Sequence, residues 1–162
     1  MDVTEALLDS WDRQCRIVNA IASRIDEANK HLKPSEDGWS LGYHLAHIHA
    51  VRQYWLQQLS KCRADVLEEA FVDGWKTPIE SLDEIRKLLK QSGLAVRESV
   101  AEKIASGCGP CGGYDNPILH LQHMVWHEGW HVGLILLALR IAGQEPTDEW
   151  EEANIWNHWR KE

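Results

Sequence analysis

The sequence lacks the features that mark several large classes of protein. It has 17 Lys and Arg against 25 Asp and Glu, a net charge of −8. This argues against a nucleic-acid-binding surface, which needs a basic patch. The longest apolar run, Val132 to Leu139, is far shorter than the ~20 residues of a membrane span. No stretch sustains the apolar–polar alternation of a half-buried strand. We therefore expect an all-α protein that binds neither nucleic acid nor membrane.

Two further absences bear on localisation. The first residues, Met-Asp-Val-Thr-Glu, lack the basic region and the apolar region of a secretory signal peptide. The four Cys do not resemble a secreted disulfide scaffold. We expect a cytoplasmic protein with reduced thiols, and its 162 residues fit a single domain over 1–162.

Phe occurs once, whereas Trp occurs nine times. Trp is seldom used merely to fill a core, because its indole N–H needs an acceptor. Several Trp are therefore expected to line a pocket or an interface, although core packing explains any single one as well. The excess of Trp favours a homodimer, because large amphipathic rings are enriched at interfaces.

Apolar residues three and four apart predict four long helices joined by short connections. Ser40 is a predicted N-cap, and Ser81 opens a capping box with Glu84. A short additional helix is predicted at 66–71, and the tail 150–159 is expected to pack on the long helices. The arrangement predicts a four-helix bundle. The predicted long helices cover residues 3–31, 40–59, 81–104 and 117–142.

The spacing of four histidines indicates metal-binding chemistry. His127 and His131 are four residues apart, so both imidazoles lie on one helical face and can share an ion. His120 and His123 continue the same face towards the N-terminus. Because one helix seldom supplies more than two ligands, a third must come from elsewhere.

The other histidine cluster lies in the second predicted helix. His44 and His47 share a face, whereas His49 points elsewhere. Bringing this helix against the fourth would complete a three-histidine site. Spacing alone does not choose between His44 and His47, and it does not exclude His123.

Short motifs suggest other classes but fit them poorly. His127-Glu-Gly-Trp-His131 matches the H-E-x-x-H motif of zinc proteases. The extended motif fails because residue 137 is Leu, and no substrate-aligning sheet is predicted. Glu128-x-x-His131 also resembles half of a di-iron signature, but the chain has no second E-x-x-H.

Cys108-Gly-Pro-Cys111 matches the thioredoxin motif. Thioredoxins place it between a strand and a helix, whereas here a Gly-rich loop contains it. We expect both thiols to be dispensable for the metal site.

Two segments together carry a resemblance to the DinB/YfiT-like superfamily. Trp39-Ser-Leu-Gly-Tyr-His-Leu-Ala-His47 is similar to the W-S-x-x-x-x-L-x-H opening of its second helix. Residues 116–143, with His127-Glu-x-x-His131, are similar to its fourth helix, and Ile155-Trp-Asn-His-Trp159 resembles some of its tails. The resemblance covers nearly the whole chain. It implies a four-helix bundle, commonly dimeric, with a divalent metal ion held by His47, His127 and His131.

Characterised members of that superfamily are thiol-dependent transferases and a maleylpyruvate isomerase. The resemblance therefore implies a metal-dependent enzyme that joins a low-molecular-weight thiol to an electrophile, or a hydrolase that uses bound water. Glu128 is a candidate base or partner of the ligands, with a solvated helix residue as the alternative. The alternative function is a non-catalytic metal-binding or stress-response protein. Imidazole ligands suit zinc, nickel, iron and copper, and manganese is a further candidate.

The chain departs from the common H-x-x-x-H-R-G-Q ending of the family. Val132 stands in place of the Arg and Leu134 in place of the Gln. If those polar groups hold substrate in relatives, this chain differs in substrate or lacks the activity.

Overall fold

The computed structural model describes residues 2–107 and 109–160, and helices dominate it. The described ranges contain no strand, only two isolated antiparallel bridges, so the all-α prediction is confirmed. No helix in these ranges has the length and apolar character needed to cross a membrane. A 3₁₀ turn at Trp156–His158 follows the last helix. In chain order the helices are α1 (Val3–Ser23), α2 (Leu41–Leu59), the short α3 (Lys61–Ala64), α4 (Leu82–Ala105), α5 (Pro117–Ile141) and the short α6 (Asp148–Asn154).

Side-chain caps fix where the long helices begin. Ser40 Oγ accepts a hydrogen bond from the Tyr43 N–H at 3.2 Å, and Ser81 Oγ accepts one from the Glu84 N–H at 3.2 Å. Both predicted N-caps are confirmed. Asn116 caps α5 in the same way. Because capping satisfies backbone donors that the first turn leaves free, these residues define the start of the two helices that carry the histidine clusters.

The first helix is shorter than predicted, ending at Ser23 rather than at residue 31. The Asp26 carboxylate accepts hydrogen bonds from the backbone N–H groups of Ala28 and Asn29, at 2.8 and 3.1 Å. Such local side-chain bonds compete with helical ones. The chain therefore turns here although the apolar periodicity continues.

The additional short helix between the second and third long helices is confirmed, but it is α3 at Lys61–Ala64 rather than at residues 66–71. Residues 70–79 form a tight turn instead, with an antiparallel bridge between Phe71 and Pro78. Asp73 Oδ1 accepts a hydrogen bond from the Thr77 N–H at 2.6 Å, and Gly74 supplies the positive φ of 64° that the turn requires.

The buried apolar side chains of the long helices form two clusters within the bundle. The larger cluster is built from α1, α2, α4 and α5 and includes Ile155, with the half-buried Trp150 against it. The predicted packing of the tail on the bundle is therefore confirmed. The smaller cluster contains Trp11, Leu121 and Met124.

A buried ion pair joins all four long helices. The side chains of Arg52 in α2 and Glu128 in α5 are each 1% exposed. Arg52 donates to both Glu128 oxygens, through Nε at 2.6 Å and Nη2 at 2.8 Å. Its Nη1 donates to the Leu89 carbonyl of α4 at 2.7 Å, and Gln14 of α1 donates to Glu128 Oε2 at 3.4 Å. Burial alone would lower the pKa of Arg52, but the Glu128 carboxylate outweighs it and raises that pKa.

Gly93 lets α4 approach this ion pair closely. A Cβ at this position would lie 2.9 Å from Cys15 Sγ and 3.1 Å from Arg52 Nη1. The Gly93 carbonyl accepts the indole N–H of Trp11 at 2.9 Å, and the Arg52 guanidinium lies over that indole ring. Burial raises the pKa of Cys15 to about 12, so this neighbour is a neutral thiol.

Removing one member of the ion pair should destabilise the protein strongly. Glu128→Ala is expected to lower the free energy of unfolding by about 3–5 kcal/mol, because it leaves Arg52 buried without a counter-charge. Urea denaturation measures the change. Glu145→Ala, which breaks an exposed pair with Arg140, is the control and should have a far smaller effect. Equal losses in the two variants would contradict the role given to the buried pair.

Candidate metal centre

Three histidine side chains from two helices converge where α2 and α5 meet. His47 of α2 and His127 and His131 of α5 each offer a ring nitrogen, and these nitrogens lie within 4.8 Å of one another. The Nε2 atoms of His127 and His131 are 3.1 Å apart. These are the three residues that the family resemblance implied, and we refer to them as the histidine cluster.

The surroundings keep the histidine cluster neutral. Burial, followed by repulsion from neighbouring histidines, lowers the pKa of His131 to about 3 and that of His127 to about 4. Burial also lowers the pKa of His47. A neutral imidazole is the form that binds a metal ion, so these residues are ready for coordination at pH 7.

The hydrogen bonding of the cluster also fits a bound ion. The buried Nδ1 atoms of His47 and His127 have no hydrogen-bond partner, which is uncommon for buried polar atoms. The Nε2 atoms of His127 and His131 face each other directly. A divalent ion would satisfy their lone pairs, and three imidazoles are a common ligand set that leaves coordination positions open.

His44 lies behind the cluster and contacts His131. Its side chain is buried, and its Nδ1 is 2.8 Å from Nδ1 of His131. If His131 uses the Nε2 lone pair for the ion, its Nδ1 carries the proton and donates to His44. Such a hydrogen bond fixes the tautomer and the ring orientation of a ligand. His44 is therefore positioned to orient a ligand.

The remaining histidines have other partners or none. His123 contacts the Tyr114 hydroxyl through its Nδ1. His120 is fully buried, and neither of its ring nitrogens has a partner. His49 contacts two backbone carbonyls, away from the cluster as expected. Of the four histidines on this face of α5, His127 and His131 join the cluster, whereas His120 and His123 do not. Apolar periodicity could not show this difference.

Two Trp side chains cover the cluster. The Trp39 ring centroid is 4.9 Å from that of His47, and its ring stacks on His131 with an interplanar angle of 12°. Trp75 packs edge-on against His47, with centroids 5.5 Å apart. Its φ of 74° is unusual for a bulky residue, and its carbonyl accepts the Tyr43 hydroxyl at 2.7 Å. Nothing in the sequence pattern placed Trp75 at the site.

Two cavities meet at His127. The first, which we call the indole cavity, has a volume of about 480 Å³ and lies between the 34–39 loop, α2 and α5. It contacts all three cluster histidines. The second, the His123 cavity, has a volume of about 650 Å³. The indole cavity is walled by Trp39, Trp126, Trp130 and Leu134, and the His123 cavity by Val51, Tyr54, Trp55, Gly74, Trp75, His123 and His127.

Comparison with known protein families agrees with this geometry. Residues 10–135 match the sequence profile of the DinB superfamily. The chain belongs to the DinB superfamily. The match includes the whole of α2 and the part of α5 that carries the histidines. No curated protein and no solved structure matches the chain significantly. Membership and the histidine cluster together fit a metal-binding protein.

Glu128 of this DinB chain does not lie in solvent, so the alternative of a solvated helix residue was wrong. Its side chain is buried, and both carboxylate oxygens accept hydrogen bonds from Arg52. It follows His127 directly in α5 but points into the bundle. Arg52 and Gln14 supply three of the roughly four hydrogen bonds that a carboxylate can accept, and Glu128 lines neither cavity beside the cluster.

The two departures from the family ending differ in their surroundings. Val132 is 7% exposed and belongs to the larger core cluster, whereas Leu134 lines the indole cavity. Only the second therefore changes a cavity wall. Of the two loop cysteines, Cys111 is buried in the smaller core cluster, and Cys108 lies outside the described residues.

Substitution of His44 should weaken metal binding without removing a ligand. His44→Leu is expected to lower zinc affinity about 10–100-fold, whereas His44→Asn keeps an acceptor for His131 and should retain most of it. Competition with a chelator measures the affinity. His120→Leu, a buried histidine of α5 outside the cluster, serves as the control and should bind zinc like the wild type. A His44→Leu protein with wild-type affinity would refute the orienting role.

Proposed function

We propose that this DinB chain is a metal-dependent enzyme that joins a small-molecule thiol to an electrophile. His47, His127 and His131 would hold the divalent ion. The observation that carries the proposal is the gathering of three neutral imidazoles beside a cavity. When bound, the ion would stabilise a thiolate near neutral pH, because a cation lowers the pKa of a thiol that it coordinates.

The chain's own side chains prepare the site. His44 holds the His131 ring through the Nδ1 contact. Trp39 and Trp75 pack against His47 on two sides and reduce its contact with water. Exclusion of water strengthens electrostatic interactions within a site. The pairing of Glu128 with Arg52 supports a role in holding α5 in place, and we assign proton transfer to the substrate, to solvent or to another side chain.

The two cavities favour transfer over hydrolysis. A transferase binds two organic substrates, whereas a hydrolase binds one and water. The indole cavity and the His123 cavity share His127, so each can bring one substrate to the histidine cluster. Hydrolysis with water as nucleophile is the second candidate reaction.

A non-catalytic metal-binding or stress-response protein is the alternative from a different functional class. The engagement of Glu128 by Arg52 favours it, because the carboxylate that follows His127 in α5 is held in a buried ion pair. Turnover separates the two classes. Protein loaded with zinc, nickel, iron or manganese is incubated with paired thiols and electrophiles, and the enzyme proposal requires product formation that the metal-free protein does not support.

One divalent ion should bind per chain. His127→Ala and His131→Ala are each expected to abolish stoichiometric binding, because two remaining imidazoles hold an ion weakly. Elemental analysis of protein purified without a nickel column gives the stoichiometry. The double variant Cys108→Ser, Cys111→Ser is the control and should keep its metal. Full occupancy in both histidine variants would overturn the assignment, and loss of metal from the cysteine variant would add a thiolate to the ligand set.

A homodimer is a separate part of the proposal. Trp156 and Trp159 of the tail are each 43% exposed and line neither cavity, and exposed indoles are typical of interfaces. Light scattering at micromolar concentration should give twice the 18.6 kDa of one chain. A monomer mass would exclude the dimer.

A further inference from the structure

We infer that the indole cavity selects ligands whose body is flat and apolar and carries no negative charge. This inference rests on the proposed function for the position of the reacting thiol, at the histidine cluster. It adds the class of molecule to which that thiol belongs.

Two exposed indole rings form part of the cavity wall. Trp126 and Trp130 lie one turn apart on the outer side of α5, with ring centroids 5.6 Å apart in an edge-to-face arrangement. They are 63% and 57% exposed, although both line the cavity. Large apolar surfaces that face water beside a cavity are typical of binding sites. A flat apolar ligand would cover the two indoles and gain the free energy of their burial.

The third indole and Leu134 continue this apolar wall. Trp39 reaches the cavity from the loop before α2 and also contacts His47 and His131. A ligand lying along the wall therefore has one end at the histidine cluster and its body against indole rings. The volume of about 480 Å³ is within the usual range for small-molecule sites.

The lining of the cavity contains a negative charge but no Lys or Arg. Asp37 is the charged side chain of this wall. A carboxylate on the body of the ligand would share this lining with Asp37, with neither Lys nor Arg to pair with it. The charge of a bound ion would be offset in part by the thiolate that it coordinates. Repulsion of this kind is a common source of specificity, and the net charge of −8 adds to it.

Two thiols of matched shape test the charge rule. 4-(Mercaptomethyl)benzamide and 4-(mercaptomethyl)benzoate share ring and thiol and differ in charge. Calorimetric titration of the zinc-loaded protein should show the amide binding about tenfold more tightly, as expected for like charges near each other at a protein surface. Asp37→Asn should reduce this ratio. Equal affinities of the two thiols for the wild type would overturn the inference.

Tryptophan variants test the apolar wall. Trp126→Ala and Trp130→Ala should each weaken binding of the amide about three- to tenfold. Trp156→Ala, an exposed indole outside the cavity, is the matched control and should not. Unchanged affinity in both cavity variants, or loss of a dimer in them without loss of affinity, would overturn the inference and assign these indoles to a protein interface.

Different results would overturn the proposed function and the ligand selectivity. Failure of the wild type to bind zinc stoichiometrically, or equal thiol binding by His127→Ala, overturns the proposed function. If the wild type binds one zinc ion per chain but binds the amide and the carboxylate thiols equally, only the selectivity is overturned.

Discussion

The buried pairing of Arg52 with Glu128 is the interaction on which the geometry of the site depends. Charges removed from water are tolerated only when paired and hydrogen-bonded, so α2 and α5 must pack in the alignment that joins these two side chains. His47 lies little more than one turn before Arg52, and His127 and His131 lie on either side of Glu128. The alignment that satisfies the ion pair therefore also brings the imidazoles within 4.8 Å of one another.

The buried charged side chains and the candidate metal ligands form two separate groups. Arg52, Glu128 and Gln14 form a fully engaged polar network that joins all four long helices. The histidines of the cluster are neutral, and the Nδ1 atoms of His47 and His127 have no hydrogen-bond partner. A fully satisfied buried network makes the core rigid, whereas each neutral imidazole keeps a lone pair that can bind an ion. Glu128 belongs to the first group, although the H-E-x-x-H spacing alone suggested the second.

Local features explain where prediction from the sequence succeeded and where it did not. Apolar periodicity and the capping residues Ser40 and Ser81 placed the long helices correctly, because both act within a few residues. The same periodicity extended α1 past Ser23, because it takes no account of the competing hydrogen bonds of Asp26. Periodicity also could not predict that Glu128 pairs with Arg52, because the two residues are distant in sequence and no pattern marks Arg52 as buried.

The sequence by itself determined the helical class, the helix starts and the face of each helix on which the histidines lie, because these follow from the 3.6-residue period and from local capping. Choosing His47 over His44 required family resemblance, since both share one face of α2. Only the tertiary structure decided that His44 contacts His131, that His123 contacts Tyr114, and that Trp75 covers His47 from a distant turn. The physical reason is that a residue's face is set by its own helix, whereas its partner is set by which helices and loops pack together.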